Sequence, residues 1–390
     1  MKIKRKIDPG LIIILSSFII GISFKMPIIK ILKNFLLATV DPSTLRLVAI
    51  ILLILTLGNL LNEGENLKNI NHSLETLIND RRITLVIPSV LMGLLPVAAG
   101  AMLSAPIVEE SGNKMELSAE YKTFLNYWFR HIWEYTWPLY PGLILAAVIF
   151  NIPLPKIILA QIPLTLAAIL SGIIFGLRKI PFKPSHKKEK TFKEIYRLLF
   201  YSWPILSIVV LVLIFKLDMV LSLSLIVFFT FITTKIKRNK VTFILRKILL
   251  SWKIILLVVS VMIFKRILEN SGILLIIPQI LNKMGISLLL VLFFTPFLIG
   301  LLMGATQAFV GITFPILLPF IGIDNPNLSY IMLAYAGGFA GVLLSPVHLC
   351  LIVTRDYFKS NLIKVYKLLL PPIIFVASVA FLIVFIYNLL

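Results

Sequence analysis

The stretch that decides the fold is IPSVLMGLLPVAAGAMLSAPIV, residues 87–108, and it has an echo in TPFLIGLLMGATQAFVGITFPIL, residues 295–317. Both segments are apolar, and both are interrupted by glycine and proline, so neither is a good continuous membrane-spanning helix. Pro88 and Pro296 are 208 residues apart. Interrupted apolar segments at corresponding places in two halves of a chain are the best sequence indication of a transporter's binding site.

The correspondence continues downstream of these segments. Tyr127 and Pro138 have the same spacing as Tyr335 and Pro346, and the offset between the two pairs is again 208 residues. The sequence therefore predicts an internal duplication, in which each half has one interrupted segment followed by a helix that proline breaks.

The composition identifies the class of protein. The chain has 390 residues, of which 59% are hydrophobic and 14% are charged, and its mean hydropathy is +1.00. A soluble core cannot bury that much apolar surface, so the sequence predicts an all-α polytopic membrane protein whose first partner is the lipid bilayer. Helices are expected because a spanning segment must satisfy its backbone polar groups internally.

Basic residues are concentrated between the apolar runs. The net charge is +21, and residues 178–197 and 235–247 hold eight and six basic residues. This distribution indicates membrane topology rather than nucleic-acid binding, and it places both loops in the cytoplasm. The basic N-terminus precedes an apolar run without a small-residue cleavage site, so we interpret it as cytoplasmic and followed by a retained first helix.

The apolar runs give about nine crossings and two re-entrant hairpins, 83–107 and 286–319. Lys30 and Lys33 favour a helix on the membrane surface for residues 26–40. The predicted crossings are 10–24, 45–61, 122–150, 152–176, 198–215, 218–234, 244–264, 328–354 and 367–389, of which 122–150 and 328–354 are the broken helices.

These segments divide the chain into two repeats, residues 1–197 and 218–390, joined by a linker helix at 198–217. Each repeat has two crossings before its hairpin and two after it, so it begins and ends on one side of the membrane. The single linker helix therefore inverts the second repeat. Hairpin 83–107 is expected to enter from the cytoplasm and hairpin 286–319 from outside, so that their tips meet near the midplane.

The hairpin tips carry the first group of candidate binding residues. Glycine permits left-handed turns and close backbone approach, and helix N-termini at a broken tip offer N–H groups to an anion. Hydroxyl and amide side chains can bind a solute or a small cation. The alternative is that these small residues only let helices pack closely. The candidates are Gly100 and Ser104 at the first tip and Thr306, Gln307, Gly311 and Thr313 at the second.

The segment NYWFRHIWEYTWPLYPG, residues 126–142, carries the second group, in which Asn126 is a candidate substrate contact. Glu134 is the one acidic residue well inside a predicted crossing, and Arg130 precedes it by four residues, as in a helical ion pair. Buried ionisable groups indicate function, with Arg130 as a contact for a substrate carboxylate and His131 or Glu134 as a proton carrier. The alternative is an aromatic belt at the interface, with the charges in water.

The corresponding segment of the second half is YAGGFAGVLLSPVHLC, residues 335–350, which has glycines in place of the charged and aromatic residues. This difference is expected if a substrate lies between a wall that recognises it and a flexible wall. Ser345 is a candidate substrate contact, and His348 is either a proton or ion carrier or a helix-packing residue.

Several classes of function lack their sequence signatures. Cys350 is the only cysteine, which excludes a disulfide framework and argues against a cysteine-based metal cluster, so no metal site is predicted. Walker, zinc-protease, dinucleotide-binding and nucleophile-elbow motifs are absent. We expect no enzyme and no cofactor beyond a coupling Na⁺ or H⁺.

At GLLPVAAGAMLSAP, NYWFRHIWEYTWPLYPG, GITFP and GVLLSPVHLC the chain resembles an uncharacterised prokaryotic membrane family, domain of unknown function 401, over nearly its whole length. That family is similar to the ion transporter superfamily of gluconate, citrate, dicarboxylate, arsenite and sodium/proton carriers. The resemblance implies inverted repeats, substrate at the hairpin tips, a prokaryotic cytoplasmic membrane and a frequent homodimer. It adds Ala101 to the first tip and implies broken helices at 126–138 and 338–348. The Ser-Asn-Thr tip of dicarboxylate carriers is absent, so neither Na⁺ coupling nor a dicarboxylate is implied.

Three hypotheses remain open at the level of sequence. The first is a secondary transporter that moves a small anionic solute by alternating access, driven by Na⁺ or H⁺. The second is an intramembrane enzyme in which His131, Glu134 and His348 act on a lipid-linked substrate, although no second acid lies in a crossing to complete an acid–base pair. The third is a membrane scaffold subunit.

Overall fold

The protein is helical throughout. In the computed structural model 85% of the chain is helical, and no strand occurs in the described part of it. The described residues are 8–78, 80–94, 101–182, 192–234 and 251–389, with the single positions 240, 242, 244, 246 and 248.

The described residues form eighteen α-helices, which we number in chain order. A 3₁₀ turn at Ile132–Tyr135 follows α7, another at Leu177–Lys179 follows α9, and a π-helical turn at Val210–Ile214 ends α10. The helices are α1 Pro9–Ser23, α2 Ile28–Val40, α3 Pro42–Glu63, α4 Asn66–Leu77, α5 Arg81–Gly93, α6 Ala101–Asn113, α7 Ala119–His131, α8 Pro141–Phe150, α9 Leu154–Phe175, α10 Phe192–Val209, α11 Met219–Thr233, α12 Trp252–Ser271, α13 Ile273–Met284, α14 Leu288–Met303, α15 Thr306–Ile321, α16 Leu328–Leu344, α17 Leu349–Phe358 and α18 Leu362–Leu389.

Among the described residues, five stretches are long and apolar enough to cross a membrane, which indicates a membrane protein: Pro42–Glu63, Leu154–Lys179, Phe192–Ile214, Leu328–Phe358 and Leu362–Leu389. The arms of the two hairpins are shorter. α5 and α6 have 13 residues each and α14 and α15 have 16, so at 1.5 Å per residue they span about 20 and 24 Å. The hydrocarbon core is about 30 Å thick, so no single arm crosses it when upright.

Proline interrupts both helices that follow the hairpins. After α7 and its 3₁₀ turn, the chain resumes as a helix at Pro141, and Pro138 lies in the gap. Between α16 and α17 the gap contains Pro346. Proline lacks the amide that an interior helical position must donate, and its ring clashes with the preceding turn.

Helix boundaries recur at a fixed offset along the chain. α8 and α9 begin at Pro141 and Leu154, and α17 and α18 begin 208 residues later at Leu349 and Leu362. α10 lies between the two sets and has no counterpart among the described helices.

Several contacts between a helix of the first half and a helix of the second half are repeated by the two equivalent helices. α1 packs on α12 while α11 packs on α3, and α6 packs on α17 while α15 packs on α8. α9 and α16 form a further contact that α18 and α7 repeat. A contact repeated with the roles of its two members reversed is the signature of a two-fold axis.

The helices differ from the predicted segments in several places. α4 and α13 lie outside the predicted segments, and the apolar residues of α4 recur every three or four residues, so it contains no apolar run. The predicted crossing 244–264 corresponds to α12, which continues to Ser271. Residues 26–40, predicted as a surface helix, contain α2. Most of loop 235–247 and residues 183–191 of the other basic loop lie outside the described residues.

Candidate functional site

A buried polar cluster is centred on Asn126 of α7. Its Oδ1 accepts hydrogen bonds from Ser89 Oγ at 2.8 Å and Ser104 Oγ at 2.6 Å. Its Nδ2 donates to the Ala101 carbonyl at 2.9 Å and lies 3.5 Å from Thr354 Oγ1. All four side chains are buried. The cluster therefore ties both arms of the first hairpin to α7 and to α17.

Replacing Asn126 by alanine should lower the free energy of unfolding by about 2–4 kcal/mol, because the Ser89 and Ser104 hydroxyls lose an acceptor while staying buried. Thermal unfolding of the purified protein in detergent measures this loss. Asn59→Ala is the control, since the Asn59 amide donates to the Leu55 carbonyl of its own helix. Equal losses in the two variants would show that the Asn126 cluster has no special role.

Two equivalent tyrosines donate in opposite directions to carbonyls whose positions differ by one residue between the halves. The Tyr127 hydroxyl donates to the Leu343 carbonyl at 3.1 Å, and the Tyr335 hydroxyl donates to the Glu134 carbonyl at 3.1 Å. Tyr127 and Tyr335 correspond at the offset of 208 residues, and each accepting carbonyl lies just before a helix break. The two broken helices are therefore hydrogen-bonded to each other near the break in each helix.

The first arm of each hairpin closely approaches the broken helix of its own half. A Cβ atom on Gly93 of α5 would overlap the Arg130 carbonyl oxygen, and one on Gly300 of α14 would overlap the Gly338 carbonyl oxygen. Arg130 and Gly338 are again 208 residues apart. Only glycine permits these backbones to lie so close.

A side chain just after each break secures the end of the same hairpin arm. The Tyr140 hydroxyl donates to the Gly93 carbonyl at 2.6 Å, and His348 Nδ1 lies 2.8 Å from the Gly304 carbonyl. Gly304 has φ +62° at the bend of the second hairpin, a conformation that favours glycine. Tyr140 and His348 occupy equivalent positions, so a tyrosine hydroxyl in one half and an imidazole in the other contact the carbonyl at the end of the hairpin arm.

The ionisable residues of α7 and its 3₁₀ turn lie inside the protein. Arg130 is 3% exposed and Glu134 is 6% exposed. Thr306 Oγ1 donates to the Glu134 carboxylate at 3.4 Å, and Thr306 is the first residue of α15, where the helix dipole favours negative charge. The Tyr140 hydroxyl is a hydrogen-bonding neighbour of Arg130. This burial argues against an aromatic belt with water-exposed charges.

Two histidines from different halves meet at the same place. His131 Nε2 lies 3.2 Å from His348 Nε2, while His131 Nδ1 lies 2.6 Å from the Tyr127 carbonyl oxygen. His348 Nδ1 faces Gly304, as described above. The ligand atoms of His131, His348 and Cys350 all lie within 4.8 Å of one another, and His131 and Cys350 are buried.

A family model described as a protein of unknown function, DUF401, matches residues 1–387. The chain belongs to the DUF401 family. The matched residues include both hairpins, both broken helices and the three clusters around Asn126, Glu134 and His131. A search of the curated proteins finds no match for this DUF401 protein.

Most of the predicted site residues of the DUF401 protein lie around the two breaks. Ala101 and Ser104 join Asn126 in one cluster, Thr306 contacts Glu134, and Ser345 Oγ lies against Gly304 at the second bend. Gln307 is half-buried beside Thr306. Gly100 lies outside the described residues.

Gly311 and Thr313 make helix-packing and intrahelical contacts, and their role as binding residues stays a prediction. Gly311 packs against the Val261 side chain of α12, and the Thr313 hydroxyl donates to the Phe309 carbonyl one turn earlier, at 2.8 Å. Gly311, five residues after Thr306, lies on another face of α15, as the alternative of close helix packing expects. Thr313, seven residues after Thr306, lies on the same face as Thr306.

Sequence analysis missed four residues that the structure brings to the site: Ser89, Tyr140, Cys350 and Thr354. Tyr140 had a usable signal, because it lies 208 residues before His348. Cys350 lies two residues after His348, which is also suggestive of shared ligation. Ser89 and Thr354 carry no sequence signal, since an isolated hydroxyl in an apolar helix is common.

Proposed function

We propose that this DUF401 protein is a secondary transporter of the cytoplasmic membrane, related to the ion transporter superfamily, that moves a small anionic solute by alternating access. The observation that carries the proposal is the meeting of two broken helices at the buried ionisable residues Arg130, His131 and Glu134. Ionisable groups at helix breaks inside a membrane mark the paths of substrates and ions.

The tyrosine contacts support two repeats of inverted orientation. The contacts run from Tyr127 toward Glu134 along the first broken helix and from Leu343 back to Tyr335 along the second. If equivalent helices were parallel, Tyr127 and Leu343 would be offset by about 12 Å along the axis, farther than a tyrosine reaches. Equivalent helices that run antiparallel across the bilayer require a two-fold axis in the membrane plane.

This arrangement brings the hairpins to one site from opposite sides. His131 and Phe339, which correspond at the offset of 208 residues, have ring centroids 6.2 Å apart and lie at the crossing. Hairpin 83–107 then enters from the cytoplasm and hairpin 286–319 from outside. Rocking of one repeat against the other opens the shared site to each side in turn.

The contacts of Glu134 support a link between solute binding and proton binding. Glu134 occupies the N-terminus of α15 through Thr306, and it is an electrostatic neighbour of Arg130. An incoming anion competes with this carboxylate for the same two groups. Protonation neutralises the Glu134 carboxylate, so it no longer competes with the anion, and solute and H⁺ bind together. A bound Na⁺ would neutralise the same negative charge.

A solute screen on the purified protein tests the proposal. Succinate, citrate, gluconate and phosphate are added in NaCl or in KCl, and the melting midpoint is recorded. A solute at one hundred times its Kd stabilises the folded state by about 2.7 kcal/mol. We expect at least one to raise the midpoint of the wild type, and we expect Arg130→Ala to abolish both that shift and uptake in vesicles at unchanged expression.

Arg46→Ala is the matched control, because Arg46 forms an exposed ion pair with Asp218 far along the chain. It should retain the solute shift and uptake. Stabilisation by none of the solutes, or a full shift in Arg130→Ala, would overturn the proposal. A chain that tolerates Arg130→Ala and changes at both hairpin tips would instead be the scaffold subunit.

A further inference from the structure

His131 and His348, which meet between the two broken helices, are each held in the tautomer with the proton on Nδ1. A carbonyl oxygen can only accept a hydrogen bond, so the ring nitrogens that face the Tyr127 and Gly304 carbonyls, at 2.6 and 2.8 Å, must both carry the proton. Neutral imidazole has a single N–H. His131 Nε2 and His348 Nε2 therefore both present lone pairs.

These two lone pairs face each other across 3.2 Å. Without an electron-pair acceptor between them the contact is repulsive, and a thiol hydrogen from Cys350 reaches only one of them. Buried polar groups in proteins are paired, and each exception needs a cause. An electrophile shared by all three groups would remove the repulsion.

A transition-metal ion fits the three donors. Two nitrogen ligands at about 2.0–2.1 Å from a tetrahedral Zn²⁺ are about 3.3 Å apart, close to the separation of His131 Nε2 and His348 Nε2. Cys350 Sγ is the third atom of the cluster, within 4.8 Å of a ring nitrogen of each histidine. Histidine ligands of metals typically donate their other N–H to a carbonyl, as both do here.

We propose that His131, His348 and Cys350 bind one transition-metal ion of the Zn²⁺ class. The Cys350 thiol releases its proton to solvent on binding, and the thiolate and two neutral imidazoles supply three ligands. The fourth position stays open for water or a solute, as in exchangeable zinc sites. The charged neighbours are Arg130, which opposes a cation, and Glu134, which offsets it.

The site occurs once in the duplicated fold. The positions that correspond to His131, His348 and Cys350 at the offset of 208 residues are Phe339, Tyr140 and Gly142, which offer no such ligands. The ion would join α7 of the first half to the start of α17 and, through the bond of His348 to Gly304, to the second hairpin. This proposal is independent of transport and replaces the sequence-based expectation of no metal site.

Cobalt titration of the full-length protein in detergent, with any polyhistidine tag removed and after chelator treatment, tests the site. We expect one equivalent of Co²⁺ to produce sulfur-to-cobalt charge-transfer absorption and the visible bands of a four-coordinate ion. Zn²⁺ should bleach both. Zn²⁺ should also protect Cys350, the only cysteine in the chain, from maleimide alkylation.

The chain itself suggests the variants. His348→Tyr installs the residue of the equivalent position, Tyr140, which keeps a donor for the hairpin carbonyl but removes the ligand. It should weaken cobalt binding about a hundredfold or more, since loss of an outer-shell partner alone costs 10–100-fold. Cys350→Ser should abolish the charge-transfer band, and His72→Ala, on the exposed face of α4, should change nothing.

A wild-type protein without the sulfur band, or a band that survives Cys350→Ser, would overturn the proposal. The first result would indicate that the two imidazoles share a proton instead. Because none of these readouts needs a substrate, a failure here leaves the transporter proposal standing, and a failure of the solute screen leaves the metal site standing.

Discussion

Replacing Gly341 by leucine should leave little folded protein. A Cβ at this position of α16 would overlap the Phe297 carbonyl oxygen of α14 and lie 2.8 Å from the Leu301 amide nitrogen. Both atoms belong to the backbone, so no side-chain rotation relieves the clash, and the two helices must separate. Overpacking of a close contact costs about 1–3 kcal/mol and more when the backbone must move, so we expect at least about 3 kcal/mol.

The measurement is the fraction of protein that stays monodisperse in detergent after heating, compared with the wild type. Gly272→Asn is the matched control, because an added Cβ there meets nothing within 4 Å and asparagine tolerates its positive φ of +81°. A melting midpoint of Gly341→Leu equal to that of the wild type would show that α14 and α16 do not pack as closely as described.

The broken helices could be predicted because their cause is local. Pro138 and Pro346 each lie in the gap between two helices, and the offset of 208 residues between them is visible in the sequence. The membrane class followed in the same way from the apolar composition. The helix breaks and the membrane class could therefore be predicted without a structure, because they depend on single prolines and on average hydropathy.

The histidine–cysteine cluster could not be predicted, because His131 lies far along the chain from His348 and Cys350. His131 and His348 are 217 residues apart, and only the crossing of the broken helices brings their Nε2 atoms together. A single cysteine indicated no metal cluster when ligands were counted by type. The proposed site also uses two histidines, and the tautomer of His348 depends on the Gly304 carbonyl, which only the fold brings near it.

The roles of small residues could not be separated by sequence either. Thr306 and Gly311 are both small-residue positions of α15, yet one contacts Glu134 and the other packs against Val261. Which face of the helix meets the site depends on where α12 lies. The extra helix α4 escaped prediction for a different reason, since hydropathy detects membrane crossings and α4 has no apolar run.

Opposite orientations of the two halves in the membrane, as we propose, predict an all-or-none difference between two equivalent loops. Glu116 follows the first hairpin and Asp324 follows the second, 208 residues later, and both are exposed. Inversion places Glu116 in the cytoplasm and Asp324 outside. A two-fold axis normal to the membrane would instead place Glu116 and Asp324 on the same side.

Labelling of single cysteines measures this directly. Glu116→Cys and Asp324→Cys are made in a Cys350→Ala background and treated with a membrane-impermeant maleimide in right-side-out and in inverted vesicles, with total labelling after permeabilisation as the reference. We predict that Asp324→Cys reacts only in right-side-out vesicles and Glu116→Cys only in inverted ones. Reaction of both cysteines from the same side would contradict the inverted duplication.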